Sequence, residues 1–151
     1  HACGANQDYR LRISLSKSGG IGVDRQVLTP LSPSFCQAQL CLQEVNLQQA
    51  FTYFKTTHRP HLSIEEQEKI YHNKSGELLE TSIGNLVLKI DGKLYTPPIR
   101  LGILPGIYRQ HLLETGQLEE KVLTFADIDQ AEVIYGCNAV RGLYELSLEE
   151  N

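Results

Sequence analysis

Alternation of apolar and polar side chains marks several short stretches of this chain as β-strands. In residues 9–16 every second side chain is apolar, which predicts a strand with one buried face. The turn sequence KSGG at residues 17–20 and the apolar run at 21–28 predict the returning strand of a hairpin. The same alternation at residues 36–43 predicts a further strand.

Turn sequences predict two more hairpins. NKSG occupies residues 73–76 between two apolar runs, and Asp91-Gly92 is the dipeptide typical of a two-residue hairpin loop. The flanking strands are predicted at residues 69–72, 77–81, 85–90 and 93–96.

Helix signals are fewer. Residues 105–115 start with a proline and are followed by Gly116, the usual asymmetry of helix ends. A short helix is predicted at 125–130, with strands at 133–135 and 142–148. Many hairpins and few helices predict an α+β domain built on an antiparallel or mixed sheet.

Composition narrows the class of protein without identifying it. The 151 residues suit one domain, 41% are hydrophobic, and no apolar run reaches membrane-spanning length. A net charge of −4 argues against nucleic acid as the main partner. No signal peptide is visible, so we predict a cytoplasmic protein with no membrane association.

The cysteines and histidines do not predict a metal site. The four cysteines are irregularly spaced, which argues against a disulfide framework. Cys36 and Cys41 precede His58 and His61, but residues five apart on a strand point to opposite faces. We therefore predict no bound zinc.

Lys55 is the first candidate for chemistry. Most lysines are solvated surface charges, but Lys55 follows Phe51, Tyr53 and Phe54, which could desolvate its amine and lower its pKa. An amine of this kind can hold an aldehyde cofactor as a Schiff base and later move protons. The nearby residues His58, Arg59 and His61 either face a substrate or are loop residues held by packing.

Three further candidates also have ordinary structural interpretations. Glu80 is either a surface carboxylate at a strand end or a partner for a protonated ring nitrogen. The start of the predicted helix at 106–108 either begins an ordinary helix or binds a phosphate through unpaired N–H groups. Asn138 either caps a turn or donates its amide to that phosphate.

Five sequence motifs occur in one order and carry a family resemblance. They are FKTTHR at 54–59, GELLETSIGNL at 76–86, YTPPI at 95–99, LPGIYR at 104–109 and CNAVRGL at 137–143. Together they resemble the class IV aminotransferase family of fold-type IV pyridoxal-phosphate enzymes. Within that family the wording is most similar to the 4-amino-4-deoxychorismate lyase branch.

The resemblance implies a role for each matching residue. Lys55 would be the catalytic residue that holds pyridoxal 5'-phosphate, and Glu80 would pair with its pyridine nitrogen. The remaining implied cofactor-binding residues are Ser82, Ile107, Tyr108, Cys137 and Asn138. Many transaminase relatives have threonine at the position of Tyr108, which puts a hydroxyl contact there in doubt but not a backbone contact. Arg109 and Arg141 are expected to be supporting residues.

The resemblance also implies a fold, a reaction and partners. The expected fold is the larger C-terminal domain of a fold-type IV enzyme, with residues 1–151 as that domain. The chain begins at His1 and has no methionine, so we expect an N-terminal domain to be absent from it. The implied enzyme cleaves 4-amino-4-deoxychorismate to 4-aminobenzoate and pyruvate, as a homodimer with a possible fused or associated aminodeoxychorismate synthase. The alternatives are a transaminase for branched-chain or D-amino acids, and a non-catalytic interaction module.

Overall fold

A computed structural model describes residues 7–41 and 67–149 of the chain. They divide into two compact units between Leu31 and Ser32. The first unit is an antiparallel hairpin of β1 (Tyr9–Leu15) and β2 (Ile21–Val27). Its turn contains Gly19 at φ 85°, a left-handed conformation that glycine adopts without a steric penalty.

The burial predicted for this hairpin is wrong, although its strands and turn are confirmed. Ile13 lies opposite Val23 on one face, yet these two side chains are 72% and 67% exposed. Alternation shows which side chains share a face, whereas burial requires a second layer of structure. The two strands form a sheet of their own, and such a sheet does not supply that layer.

The second unit is built on an eight-stranded mixed sheet. Its strands are β3 (Gln37–Leu40), β4 (Glu68–His72), β5 (Leu78–Thr81), β6 (Asn85–Ile90), β7 (Lys93–Thr96), β8 (Glu119–Glu120), β9 (Val133–Asn138) and β10 (Gly142–Leu148). The strand order is β5-β4-β3-β10-β9-β6-β7-β8. β3 runs parallel to β4 and β10, and β7 runs parallel to β8, while the other pairs are antiparallel.

A further pairing closes part of this sheet into a ring. β5 also pairs with β6 through one residue pair, Glu80 opposite Asn85. Strands β5, β4, β3, β10, β9 and β6 therefore surround a common interior. Every residue of β5 is buried, as are five of the six in β6.

The two α-helices of the described residues are short. α2 (Phe125–Gln130) matches its prediction and begins with a capping box, in which Thr124 and Asp127 satisfy each other's backbone N–H groups. α1 (Ile107–Glu114) begins two residues later than predicted, because Gly106 has an extended backbone with ψ 137°. Short 3₁₀ helices cover Pro33–Cys36 and Ile99–Leu101.

The predicted hairpins of the second unit are confirmed. Asp91 and Gly92 have φ values of 51° and 74°, the two positive angles that a type I′ turn requires. The strand predicted at 36–43 is shorter than expected in its described part, because Cys36 belongs to a 3₁₀ helix. Residues 42 and 43 lie outside the described residues.

The core lies on both sides of the sheet. On one side Val87 and Cys137 pack against Leu112 of α1 and Leu118. On the other, Tyr71, Leu79 and Ile103 form a second cluster. This arrangement confirms the predicted α+β class with a hairpin-rich mixed sheet. Within the described ranges, no helix is long and apolar enough to cross a membrane.

Candidate cofactor site

Two side chains at the closing strand pair contact one residue of the segment before α1. Leu104 donates its backbone N–H to Glu80 Oε2 at 3.4 Å and accepts a bond from Asn85 Nδ2 at 2.8 Å. Glu80 is 6% exposed and Asn85 is 3% exposed. The end of β5, the start of β6 and residues 104–106 are therefore held together, with a carboxylate buried at their junction.

Gly106 is required by this arrangement. A Cβ atom at that position would lie 2.1 Å from Asn85 Oδ1, well inside contact distance. Because Asn85 is fixed by its bond to Leu104, a larger residue at position 106 would displace the segment that leads into α1. The glycine thus serves close approach rather than an unusual φ, which is −68°.

The N-terminus of α1 is suited to bind an anion. Gly106 is its N-cap and no side chain caps the helix, so backbone N–H groups of the first turn lack partners within the helix. Ile107 is 80% exposed, which leaves this helix end open. These groups and the helix dipole favour a phosphate at this position.

Tyr108 joins this helix end to the β9–β10 turn. Its ring lies 3.4–3.9 Å from the Cβ position of Gly142, which has φ 68°. The phenol group therefore packs on the turn. This placement leaves the backbone of Tyr108 as its means of contacting an anion at the helix end.

Asn138 lies at the end of β9, in the same turn. Its Oδ1 accepts bonds from Val140 N at 3.0 Å and Arg141 N at 2.9 Å, and its Nδ2 donates to Ile83 O at 3.4 Å. The residue is therefore the turn cap that the sequence left as one alternative. Its amide group is held near the loop that follows Glu80 by only one long bond.

The side chains of Cys137 and Ser82 are buried, unlike the exposed end of α1 at Ile107. The Cys137 thiol is buried in the core cluster, and burial raises its pKa to about 11. Ser82 is 3% exposed, and its Oγ accepts a bond from Lys69 N at 3.0 Å. A contact from Cys137 to a cofactor would therefore come from its main chain.

The described residues predicted for the site lie in one region, with Ser82 beneath its loop. Lys55 lies outside the described residues, so its position relative to Glu80 stays a prediction. Arg109 supports the region from behind: it is 1% exposed and bonds Pro97 O at 2.8 Å and the Glu120 carboxylate.

Besides Asn85, four neighbouring residues were not predicted for the site: Tyr144, Gly136, Gly84 and Glu68. Tyr144 is buried, and its ring lies across Gly136, where a Cβ would come within 2.3 Å of Cζ. Its hydroxyl reaches Gly84 at a Cβ distance of 2.9 Å. Glu68 is fully buried below the same loop. The available signal was the position of Gly84 and Gly136 directly beside predicted strands, because glycines there often mark a close approach.

The close contact at Gly136 predicts a large effect on stability. Gly136→Ala should lower the free energy of unfolding by about 1–3 kcal/mol, since its methyl group would overlap the Tyr144 ring. Chemical denaturation measures this change. The companion variant Tyr144→Val removes the ring, so the double variant should be more stable than the sum of the two single changes predicts. Additive losses would show that the ring does not oppose residue 136.

The groups present fit a planar cofactor that carries a phosphate and a basic ring nitrogen. Such a molecule needs a buried carboxylate, supplied by Glu80, and an anion site, supplied by the uncapped end of α1. Asn85 connects the two groups through Leu104 and Gly106.

Comparison with known proteins agrees with this fit. The family described as "Amino-transferase class IV" matches residues 27–147 of the chain. The chain therefore belongs to the class IV aminotransferase family, whose enzymes depend on pyridoxal phosphate.

Three relatives illustrate the similarity. The aminodeoxychorismate lyase of Saccharomyces cerevisiae is 31% identical over 119 residues, which cover 62% of this chain and 32% of the relative. A solved structure from Mesorhizobium loti, provisionally named an amino-acid aminotransferase, is 28% identical with a TM-score of 0.83. That match covers 97% of this chain and 75% of the other. A structure from Haemophilus somnus, provisionally named a 4-amino-4-deoxychorismate lyase, is 23% identical with a TM-score of 0.70, and covers 91% of this chain and 69% of the other.

These likenesses establish the fold-type IV fold that the motifs predicted. The chain spans about a third of the length of the curated relatives it matches, at 36% and 32%. The prediction that it is the C-terminal domain of a longer enzyme stays a prediction.

Proposed function

We propose that this chain carries the cofactor-binding part of a lyase that cleaves 4-amino-4-deoxychorismate to 4-aminobenzoate and pyruvate. The observation that carries the proposal is the buried Glu80 carboxylate, joined through Leu104 to the uncapped end of α1. The similarity to the yeast aminodeoxychorismate lyase supports the choice of reaction.

Each part of the cofactor has a partner in this proposal. Lys55 would hold the cofactor through its aldehyde group, and Glu80 would keep the pyridine nitrogen protonated. The N–H groups of Ile107 and Tyr108 would bind the phosphate, together with the amide of Asn138. Ser82 keeps the intervening loop on β4 through its bond to Lys69. When bound, pyridoxal phosphate supplies an electron sink for the substrate carbon that bears nitrogen.

The protein has two tasks in this reaction. The Lys55 amine, freed when the substrate amine replaces it on the aldehyde, would remove the proton from the carbon that bears nitrogen, as a general base. That proton would leave with the enolpyruvyl group as pyruvate. Glu80 keeps a negative charge beside the ring nitrogen, and its burial strengthens that interaction because water does not screen it. Loss of the enolpyruvyl group makes the substrate ring aromatic, which drives cleavage forward.

A transaminase is the second candidate. The Mesorhizobium loti structure favours it, because its name refers to an amino-acid aminotransferase and its match covers 97% of this chain. Both reactions begin with the same proton removal and need the same contacts to the cofactor. The motifs around Lys55 and Asn138 are the reason for preferring the lyase. A non-catalytic module is disfavoured because it has no need for the buried Glu80.

Product analysis separates the two enzymes. We expect the full-length protein, given 4-amino-4-deoxychorismate and no keto acid, to release 4-aminobenzoate and pyruvate in equal amounts over many turnovers. A transaminase would instead stop after one turnover until an acceptor keto acid is added. The two products are measured by chromatography and by a coupled pyruvate assay.

A second substrate set provides the control. Amino exchange between D-alanine or a branched-chain amino acid and 2-oxoglutarate, without formation of 4-aminobenzoate, would transfer the assignment to the transaminases. A homodimer and a fused or associated synthase belong to the same proposal, and mass measurement of the full-length protein tests the first of these.

A further inference from the structure

Glu68 is a buried carboxyl group to which the proposed reaction assigns no task. It begins β4 and is fully buried. Its Oε1 accepts a bond from the backbone N–H of Ile83 at 3.1 Å. Its Oε2 is also buried and has no hydrogen-bond partner among the described residues.

The partner of Glu68 lies in the loop between Glu80 and Asn85. Both backbone polar groups of Ile83 form hydrogen bonds. Glu68 accepts from its N–H, and Asn138 donates to its C=O at 3.4 Å. Glu68 therefore contacts, through a single residue, the amide proposed for phosphate binding. Three residues before Ile83 lies the carboxylate proposed for the ring nitrogen.

A second pair of bonds ties the loop to the same strand. Ser82 N donates to Lys69 O at 3.1 Å, and Lys69 N donates to Ser82 Oγ at 3.0 Å. The backbone of Lys69 thus holds both the backbone and the side chain of Ser82, whereas the N–H of Ile83 depends on the side chain of Glu68. Loss of the Glu68 acceptor would release Ile83 without removing the strand pairing of β4.

Burying a carboxyl group at this position costs folding free energy. Burial raises the pKa of Glu68, and the hydrogen bond from the N–H of Ile83 opposes that rise. An apolar residue of similar size would avoid the cost of burial, but it would leave the Ile83 N–H without its acceptor. The residue is therefore better explained by what it holds than by core stability.

We propose that Glu68 is a positioning residue for the cofactor site: by fixing the Ile83 peptide it sets the Glu80 carboxylate and the Asn138 amide toward the cofactor. This inference rests on the proposed function. Glu68 acts through the loop and does not touch the cofactor.

Three variants of the full-length protein test this role. Glu68→Leu removes the acceptor, while Glu68→Gln keeps an oxygen that can accept from Ile83. Asn73→Ala is the matched control, because Asn73 is also buried and accepts from Ser75 N and Glu77 N at the opposite end of the β4–β5 hairpin. The readouts are pyridoxal phosphate affinity, the visible absorbance of the bound cofactor, and hydrogen exchange at the Ile83 amide in cofactor-free protein.

We expect Glu68→Leu to weaken cofactor affinity by about tenfold or more, to shift the absorbance of the bound cofactor, and to speed exchange at Ile83. Glu68→Gln should stay within about twofold of wild type, since it keeps the acceptor. Asn73→Ala should lower the melting temperature but leave the absorbance and the Ile83 exchange unchanged. If Glu68→Leu does not fold, Glu68→Asp replaces it, because its carboxylate is one methylene too short to hold Ile83.

The outcomes that refute the two proposals differ. Wild-type affinity, absorbance and Ile83 exchange in Glu68→Leu or Glu68→Asp would overturn the positioning role alone. The same spectral shift in Asn73→Ala would also overturn it, since the effect would then follow general destabilisation. Failure of the wild-type protein to bind pyridoxal phosphate would refute the proposed function itself.

Discussion

Borohydride reduction of the full-length protein loaded with pyridoxal phosphate should fix a pyridoxyl group on the peptide that contains Lys55. An amine attached to the cofactor aldehyde becomes a stable secondary amine on reduction, and mass spectrometry of the digest locates it. Lys55→Ala should lose this label completely. Loss of the general base alone should lower turnover by roughly 10²–10⁴-fold.

Lys74 provides the matched control for this prediction, because it lies exposed in the turn between β4 and β5. Lys74→Ala should keep both the label and the activity. Labelling of any other lysine in the wild-type protein would refute the assignment of Lys55.

Glu80→Gln should lower kcat by about 10–100-fold while the cofactor still binds. The amide keeps an oxygen for the N–H of Leu104, so the local fold should persist. It lacks the negative charge that we propose holds the ring nitrogen protonated. Steady-state kinetics and the absorbance of the bound cofactor separate these two effects.

Glu77→Gln is the corresponding control, since Glu77 lies three residues earlier and accepts a bond from Asn73 Nδ2 at 2.6 Å. It should leave kcat unchanged. An unchanged kcat in Glu80→Gln as well would mean that the buried carboxylate serves the fold and not the reaction.

The local elements could be predicted from the sequence because their causes are local. A two-residue loop with positive φ at both positions suits few dipeptides, and Asp91-Gly92 is one of them. The helix at 125–130 was predicted with its correct ends, and its Thr124 cap is itself a sequence signal. Wherever one short stretch determines the structure, prediction and structure agree.

The errors arose where the cause was distant in sequence. The start of α1 depends on Asn85, whose side chain contacts Gly106, and nothing in residues 105–115 indicates that contact. The exposed face of β1 and β2 depends on a layer that alternation does not reveal. A proline or a periodic pattern predicts the local structure of a segment, but it does not show which other segments pack against it.

Sequence motifs predicted some residues of the candidate site, and the fold shows others that lie beside them. Glu80 and Asn138 were predicted as candidates, while Asn85, which connects the site, lay unremarked within the motif at 76–86. Glu68 was missed because its partner is a backbone N–H fifteen residues later, which no side-chain pattern records. The pairing of β5 with β6 brings these residues together, and no single motif indicates that pairing.

The single residue pair that closes the ring of strands also links binding of a cofactor to the stability of the second unit. Glu80 and Asn85 form both the smallest pairing in the ring and the junction with the segment before α1. A molecule that contacts both Glu80 and the end of α1 would therefore stabilise this one-residue pairing of β5 with β6. Binding energy gained there adds to folding stability by mass action. We therefore expect proteases to cleave the cofactor-free protein faster than the cofactor-loaded protein.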